Sequence, residues 1–254
     1  MKVFNKYSLY YNLLYQDKDY KSEAEYINQL IKKYHNNPKS IFNMGCGTGK
    51  HDFLLLKKGY EIIGFDISDK MIEEAQLKKT KHFPNKPIEF IKGDIQNIRL
   101  NKKFDVVTSL FHVMSYQTTN EALDNSFKTA KTHLKDNGLF IFDCWNGPGV
   151  ITEKPEKRIK EMQNEEYKII RYAEPEIFPN ANCVNVNYKI ELLNLKGELI
   201  DTIKETHKMR YLFRPEIEFF AEKNKLKILD QYEWLGFSPP SFNSWTTVYI
   251  LGCA

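Results

Sequence analysis

The sequence predicts an α/β fold: a mostly parallel seven-stranded sheet with helices on both faces, and an antiparallel β-sheet inserted after the fifth strand. Three observations predict it. From Lys39 to Cys144 short apolar runs alternate with longer segments of helical spacing, a rhythm that makes right-handed crossovers and parallel strands. Between Glu165 and Phe213 the rhythm gives way to long β-rich stretches, the mark of an antiparallel meander. A chain of 254 residues with 42% hydrophobic and 14% aromatic residues is long and apolar enough for a sizeable core in one large domain or two small ones.

The first strand is Ile41-Phe42-Asn43-Met44, which runs into a glycine loop and then a short helical stretch from Asp52 to Lys58 with Phe53, Leu54, Leu55 and Leu56. Tyr60–Phe65 is the second strand, and Ser68 is the expected N-cap of a helix carrying Met71, Ile72, Ala75 and Leu77. Ile88–Ile91, Phe104–Leu110 and Leu139–Phe142 are strands three to five. Between the last two, Ala122, Leu123, Phe127, Ala130 and Leu134 repeat at helical spacing. The meander comprises Tyr167–Tyr172, Cys183–Leu195 and Leu199–Leu212, with a turn at Lys196-Gly197. Arg214-Pro215-Glu216 opens a last helix, with proline at a favourable first-turn position. Lys225–Trp234 and Trp245–Cys253 close the sheet as a pair of strands.

Charge and cysteine usage narrow the function classes. Lys and Arg number 37 against 33 Asp and Glu, a formal charge of +4 with the signs interspersed, which gives little support to a nucleic-acid grip. Cys46, Cys144, Cys183 and Cys253 stand far apart without a C-x-x-C pair, so reduced thiols are expected and neither a zinc ribbon nor a disulfide scaffold is drawn. No apolar run reaches the ~20 residues of a membrane helix, and the polar, tyrosine-bearing stretch 1–16 is unlike a signal peptide. A cytoplasmic protein without membrane association is the expectation.

The sharpest motif is Asn43-Met44-Gly45-Cys46-Gly47-Thr48-Gly49, placed between a strand and a helix. Glycines there permit a sharp turn and close approach of a ligand to the backbone, and the helix start offers unpaired N–H groups. The G-x-G-x-G spacing is one residue short of the dinucleotide fingerprint, and Lys50-His51 is not a P-loop ending. The second strand ends at Asp66, whose carboxylate can accept from both hydroxyls of a ribose; a helix-capping role is the alternative. The third ends in Gly93-Asp94-Ile95, where a carboxylate suits an exocyclic amine and an apolar neighbour suits the face of an adenine. Three strand tips thus converge on one nucleoside-like ligand at the carboxyl edge of the sheet.

With these motifs the chain resembles the class I S-adenosylmethionine-dependent methyltransferases over nearly its whole length, which implies a Rossmann-like sheet and S-adenosylmethionine as cofactor. The resemblance implies that Gly45, Gly47 and Gly49 wrap the methionine half, that Asp66 binds ribose and that Asp94 binds adenine. Cys46, Ile67, Met71, Gly93, Ile95 and Leu110 are the implied wall of the same site. The family usually carries an acid where this chain has Asn43, so recognition of the cofactor's ammonium is expected to come partly from elsewhere.

A narrower resemblance joins Tyr11 to Tyr20, ending in K-D-Y, to the tyrosine-rich arm of nucleotide-sugar N,N-dimethyltransferases. It implies an arm or cap over residues 1–38 in which Tyr11 and Tyr20 approach the cofactor, ahead of a methyltransferase domain over 39–254. Tyr7, Tyr11, Leu14 and Tyr15 also fit one packed face of a short helix. The insertion, 150–213, resembles the sheet that in that group shapes the substrate pocket and can serve as a homodimer interface. The implied substrate is a small polar metabolite: a sugar, amino sugar or nucleotide-linked sugar.

The loop after strand four, Leu110 to Tyr116, is where the family approaches the transferable methyl, and it offers His112 as proton acceptor with Tyr116 assisting. Four residues apart, the two would share a face on one helical turn. An imidazole, with an ordinary pKa of about 6.5, accepts a proton at neutral pH. Trp145, just after strand five, either stacks on a substrate or closes the core. A nucleobase methyltransferase would place an N/D/S-P-P-aromatic motif after strand four; Ser238-Pro239-Pro240-Ser241 is a partial mimic in the wrong place. Asp143 and Asn146 lack a third partner for a metal, so no metal is expected. A protein methyltransferase and a non-catalytic S-adenosylmethionine-binding subunit remain open as alternatives.

Overall fold

A computed structural model describes residues 13–254. Two compact units are present. The larger comprises Asp19–Glu153 and Tyr211–Ala254, the smaller the described residues 13–18 with Lys154–Arg210.

The larger unit is built on seven strands: β1 (Ser40–Met44), β2 (Glu61–Asp66), β3 (Ile88–Lys92), β4 (Phe104–Ser109), β5 (Leu134–Trp145), β10 (Leu226–Glu233) and β11 (Thr246–Cys253). Their order is β10-β11-β5-β4-β1-β2-β3. The first five are mutually parallel, and β11 pairs antiparallel with both β5 and β10. Alternation along the strands divides the core into two layers. Ile41, Ile62, Val106, Ile141 and Val248 face helices α1 (Tyr20–Tyr34), α2 (Lys50–Leu56) and α3 (Asp69–His82). Phe42, Phe65, Val107, Phe142 and Tyr249 face α4 (Asn120–His133) and α6 (Arg214–Lys223). This is a Rossmann-like sheet with helices on both faces. The expected Ser68 cap forms, Met71 N donating to its Oγ at the start of α3, and the structure adds a second at α4, where Ala122 N donates to Thr119 Oγ1.

The smaller unit is a four-stranded antiparallel sheet, β6 (Arg158–Gln163), β7 (Tyr167–Phe178), β8 (Cys183–Asn194) and β9 (Leu199–Arg210), in that order. Leu13 and Leu14 pack with Ile169, Ile190, Leu192 and Ile203 in its own small core. The segment 1–38 is therefore divided: 13–18 belongs with the antiparallel sheet, while α1 belongs to the first layer of the larger core. The structure also adds two elements, β6 and the short helix α5 (Gly147–Glu153).

Candidate functional site

The strand order places the tips of β4, β1, β2 and β3 side by side at the carboxyl edge, with the reversal of winding between β1 and β4, where sheets of this kind bind ligands. The glycine loop turns at this reversal. Gly45 N and Cys46 N both donate to Phe65 O at 2.8 Å, and Gly45, Gly47 and Gly49 take φ of 82°, 55° and 75°. The reasons for glycine differ between positions. A methyl on Gly45 would come within 2.6 Å of the Val113 side chain, so here the loop abuts the β4 loop; a methyl on Gly47 would meet nothing within 4 Å. Open space over a left-handed backbone makes this turn an open cradle, a property it shares with the turns at Gly59 and Gly197.

Asp66 holds this cradle: Gly47 N donates to its Oδ2 and Ser68 N to its Oδ1, each at 2.9 Å. Burial pushes its carboxyl above the usual range, against the downward pull of those backbone donors. Beside it Ile67 is 62% exposed, an apolar side chain left facing outward at a strand tip. Asp94 is half-buried, accepts from Gln96 N at 2.9 Å, and precedes buried Ile95. Gly93 N donates to Asp66 O at 3.0 Å, tying the two acid-bearing tips together. Met71, Cys46 and Leu110 are buried; burial raises the Cys46 thiol well above its ordinary range, so it is an inert wall.

Asn43 sits differently from the expectation of a cofactor contact. It is buried, its Nδ2 lies 3.1 and 3.0 Å from the two Asp52 oxygens, and its Oδ1 accepts from Thr108 Oγ1 at 3.0 Å. Both ends of the amide are engaged inside the protein, so its work is to hold Asp52. That carboxylate is fully buried, and desolvation lifts its pKa to about 7 despite the Asn43 donor. Sequence reasoning missed Asp52. The available signal was an acid in the otherwise apolar face of Lys50-His51-Asp52-Phe53-Leu54-Leu55-Leu56.

Tyr20, the first residue of α1, places its ring 4.9 Å from that of His51 and under Lys50 Nζ at 4.7 Å. His51 Nε2 lies 2.7 Å from Glu23 Oε2, both side chains being buried. In this way α1 braces the helix that follows the glycine loop. Tyr11 lies outside the described residues.

Beyond β4, Phe111 and His112 both adopt left-handed backbone, φ 66° and 63°, uncommon for residues with a Cβ. Asp143, 1% exposed on β5, accounts for it: Phe111 N donates to Oδ1 at 2.6 Å and His112 N to Oδ2 at 3.0 Å. The imidazole Nδ1 lies 2.7 Å from the same Oδ2, with the histidine side chain 21% exposed. One buried carboxylate therefore sets the backbone through two hydrogen bonds and lies beside the ring, whose Nδ1 contacts Oδ2 without forming a hydrogen bond to it. Asp143 enters as this anchor instead of a metal ligand; among the described residues no His, Cys, Asp and Glu group of three is arranged around a cation site. The shared face of His112 and Tyr116 does not form. Val113–Tyr116 is a 3₁₀ turn, and His112 precedes it in left-handed backbone, so the two residues do not sit on one regular helical turn.

Residues 41–138 match the family model of a methyltransferase domain. Over 147 residues the chain is 30% identical to the dTDP-3-amino-3,4,6-trideoxy-alpha-D-glucopyranose N,N-dimethyltransferase of Streptomyces venezuelae, covering 58% of this chain and 59% of that one. The chain spans less than two thirds of the length of the curated relatives it matches. A crystal structure of an S-adenosylmethionine-dependent methyltransferase from Clostridium acetobutylicum shares the fold over 100% of both chains, with TM-score 0.83 and 22% identity. The sugar N-methyltransferase KedS8 from a Streptoalloteichus species does so over 96% of this chain and 92% of its own, with TM-score 0.79 and 17% identity. Residues 41–138 thus carry the sequence pattern of a methyltransferase domain, and the chain shares the fold of the class I S-adenosylmethionine-dependent methyltransferases. Within that class, the similarity in sequence extends to enzymes whose names specify amino-sugar N-methylation.

Proposed function

We propose that the protein transfers a methyl group from S-adenosylmethionine to a nitrogen or oxygen of a small polar acceptor, a nucleotide-linked amino sugar being the acceptor its relatives favour. The observation that carries this is the division of the carboxyl edge: Asp66 at the end of β2 and Asp94 just past β3, a histidine held by its backbone beyond β4, and the abutting loops of Gly45 and Val113 between them. The residues fit the cofactor. Gly47 offers open space, Asp66 keeps acceptor capacity for ribose hydroxyls, Ile67 presents an apolar face, and Asp94 suits the adenine amine. When bound, the cofactor supplies a methyl on a positively charged sulfur.

The chain's own part is to align the acceptor and, for a hydroxyl, to take its proton at His112 Nε2, with the Asp143 carboxylate beside Nδ1 to offset the charge that the ring gains. Incubation with methyl-labelled S-adenosylmethionine and a panel of amino sugars, nucleotide sugars, peptides and nucleic acids tests the reading. Label in the sugar arm is expected; label in none of the arms, with the cofactor bound, would make the protein a binding subunit. Dialysis against a chelator is expected to leave turnover intact, and loss restored by magnesium would contradict metal-independent transfer. Asp66→Ala is expected to weaken S-adenosylhomocysteine binding by roughly 1–3 kcal/mol, since it removes a charged acceptor and loosens the Gly47 turn. Unchanged affinity by calorimetry would remove Asp66 from the site.

A further inference from the structure

Past His112 the carboxyl edge continues as a row of rings. The Phe111 and His112 centroids are 5.5 Å apart, His112 and Trp145 6.4 Å at an interplanar angle of 64°, and Trp145 and Trp245 5.7 Å at 68°. Trp145 ends β5 and Trp245 immediately precedes β11, so the two indoles stand on neighbouring strands of the same edge. Their backbones are fixed. Trp145 N donates to Ser115 Oγ at 3.0 Å, Leu212 N donates to Trp145 O at 2.9 Å, and Asn146 N donates to Trp245 O at 2.9 Å. The third tryptophan, Trp234, packs against the buried core of the first layer; Trp145 and Trp245 belong to neither main core cluster and are both only partly buried. Two large aromatic side chains are thus held rigidly where packing does not use their whole surface.

We propose that Trp145 and Trp245 form the platform on which the acceptor's sugar ring lies, its apolar C–H face against the indoles and its reacting group toward His112. This rests on the methyltransferase reading and adds to it the two residues that would hold the acceptor's ring. Strand spacing sets the reach, since β5 and β11 lie one and two strands, each about 4.8 Å, beyond β4. The cofactor side of the edge carries Asp66 and Asp94 at the tips of β2 and β3, whereas on this side the Asp143 carboxylate is buried beneath the loop and the partly exposed groups are rings. Aromatic faces favour apolar surface, and each hydroxyl missing from a deoxy sugar enlarges that surface. The rigid indoles also spare the acceptor the cost of ordering its own binding site.

The test uses the full chain with Trp234→Phe, so that intrinsic fluorescence reports Trp145 and Trp245 alone. The probes are dTDP-3-amino-3,4,6-trideoxyglucose and dTDP, each titrated with and without S-adenosylhomocysteine. The sugar nucleotide is expected to change the emission. Trp145→Leu and Trp245→Leu are expected to weaken its binding about tenfold each, Trp→Phe at either position to retain most of it, and dTDP binding to ignore all four substitutions. S-adenosylhomocysteine affinity, unchanged in every variant, certifies that the cofactor half is folded. A parent protein that binds S-adenosylhomocysteine but not the sugar nucleotide, or binds it equally after both leucine substitutions, overturns the platform. Equal losses for dTDP would overturn it too, by placing a nucleobase on the indoles. Failure of the parent to bind S-adenosylhomocysteine overturns the methyltransferase reading instead, whatever the sugar titration shows.

Discussion

Replacing His112 with alanine is expected to lower kcat by ~10²–10⁴-fold on a hydroxyl acceptor, the usual worth of general-base catalysis, with S-adenosylhomocysteine affinity unchanged. A hydroxyl is too weak an acid to lose its proton to solvent first. An amine sheds its proton unaided as pH rises, so on an amine the loss should be smaller and should shrink toward alkaline pH. Because His112 sits at φ 63°, His112→Asn is the companion variant: asparagine tolerates that backbone while lacking the imidazole. Asp143→Asn should fall in the same direction, since an amide has one acceptor oxygen for three contacts now made by the two carboxylate oxygens. Residues that act as a unit are non-additive; the double variant should be little worse than either single one. Full kcat across the pH range with the true acceptor, in any of these variants, would remove the imidazole from the chemistry.

Asn43→Asp is expected to cost roughly 3–5 kcal/mol of stability at pH 8, because it sets a second carboxylate 3 Å from a fully buried one and turns a donor into a repelling acceptor. An engineer restoring the family's usual acid at this position would therefore lose stability. The charge-exchanged double variant, Asn43→Asp with Asp52→Asn, should recover most of it, since one acid and one amide again face each other. The single variant Asp52→Asn carries a pH signature. Asp52 titrates at about 7 when folded against 3.8 in an ordinary environment. The folded state therefore holds a proton that the unfolded chain has released between about pH 4 and 7, and this group's contribution to stability declines as pH rises through that window. The difference in Tm between variant and parent should shift in the variant's favour over the same range. A difference that does not move with pH would mean that Asp52 is ionised throughout.

What could be read from the sequence was whatever depends on near neighbours. Alternation of apolar runs, the Ser68 cap, the glycine loop and the acids at two strand tips are local patterns, and each stands where it was expected. The anchors of the site are not local. Asn43 meets Asp52 only because the glycine loop folds β1 back against α2, and Asp143 meets His112 across 31 residues because β4 and β5 are parallel neighbours. The missed elements were hidden by composition. Gly147-Pro148-Gly149 reads as a loop yet opens α5, and β6 carries Arg158, Lys160 and Glu161 on a largely exposed strand, where no buried face imposes a hydrophobic alternation. The 3₁₀ turn after His112 follows from the Asp143 anchor, which no spacing rule contains.

The contact between Gly45 and Val113 makes neighbours of two jobs that chemistry would allow to be separate. Any side chain at position 45 must push against the residue that directly follows His112. Gly45→Ala is thus expected to act at a distance from its cause: a lesion made in the glycine loop would surface in the loop that carries His112. Divergence toward new acceptors, for the same reason, is confined to changes that leave this seam in register, and the tip of β5, whose Asp143 and Trp145 are bonded to the same loop, is bound by it as well.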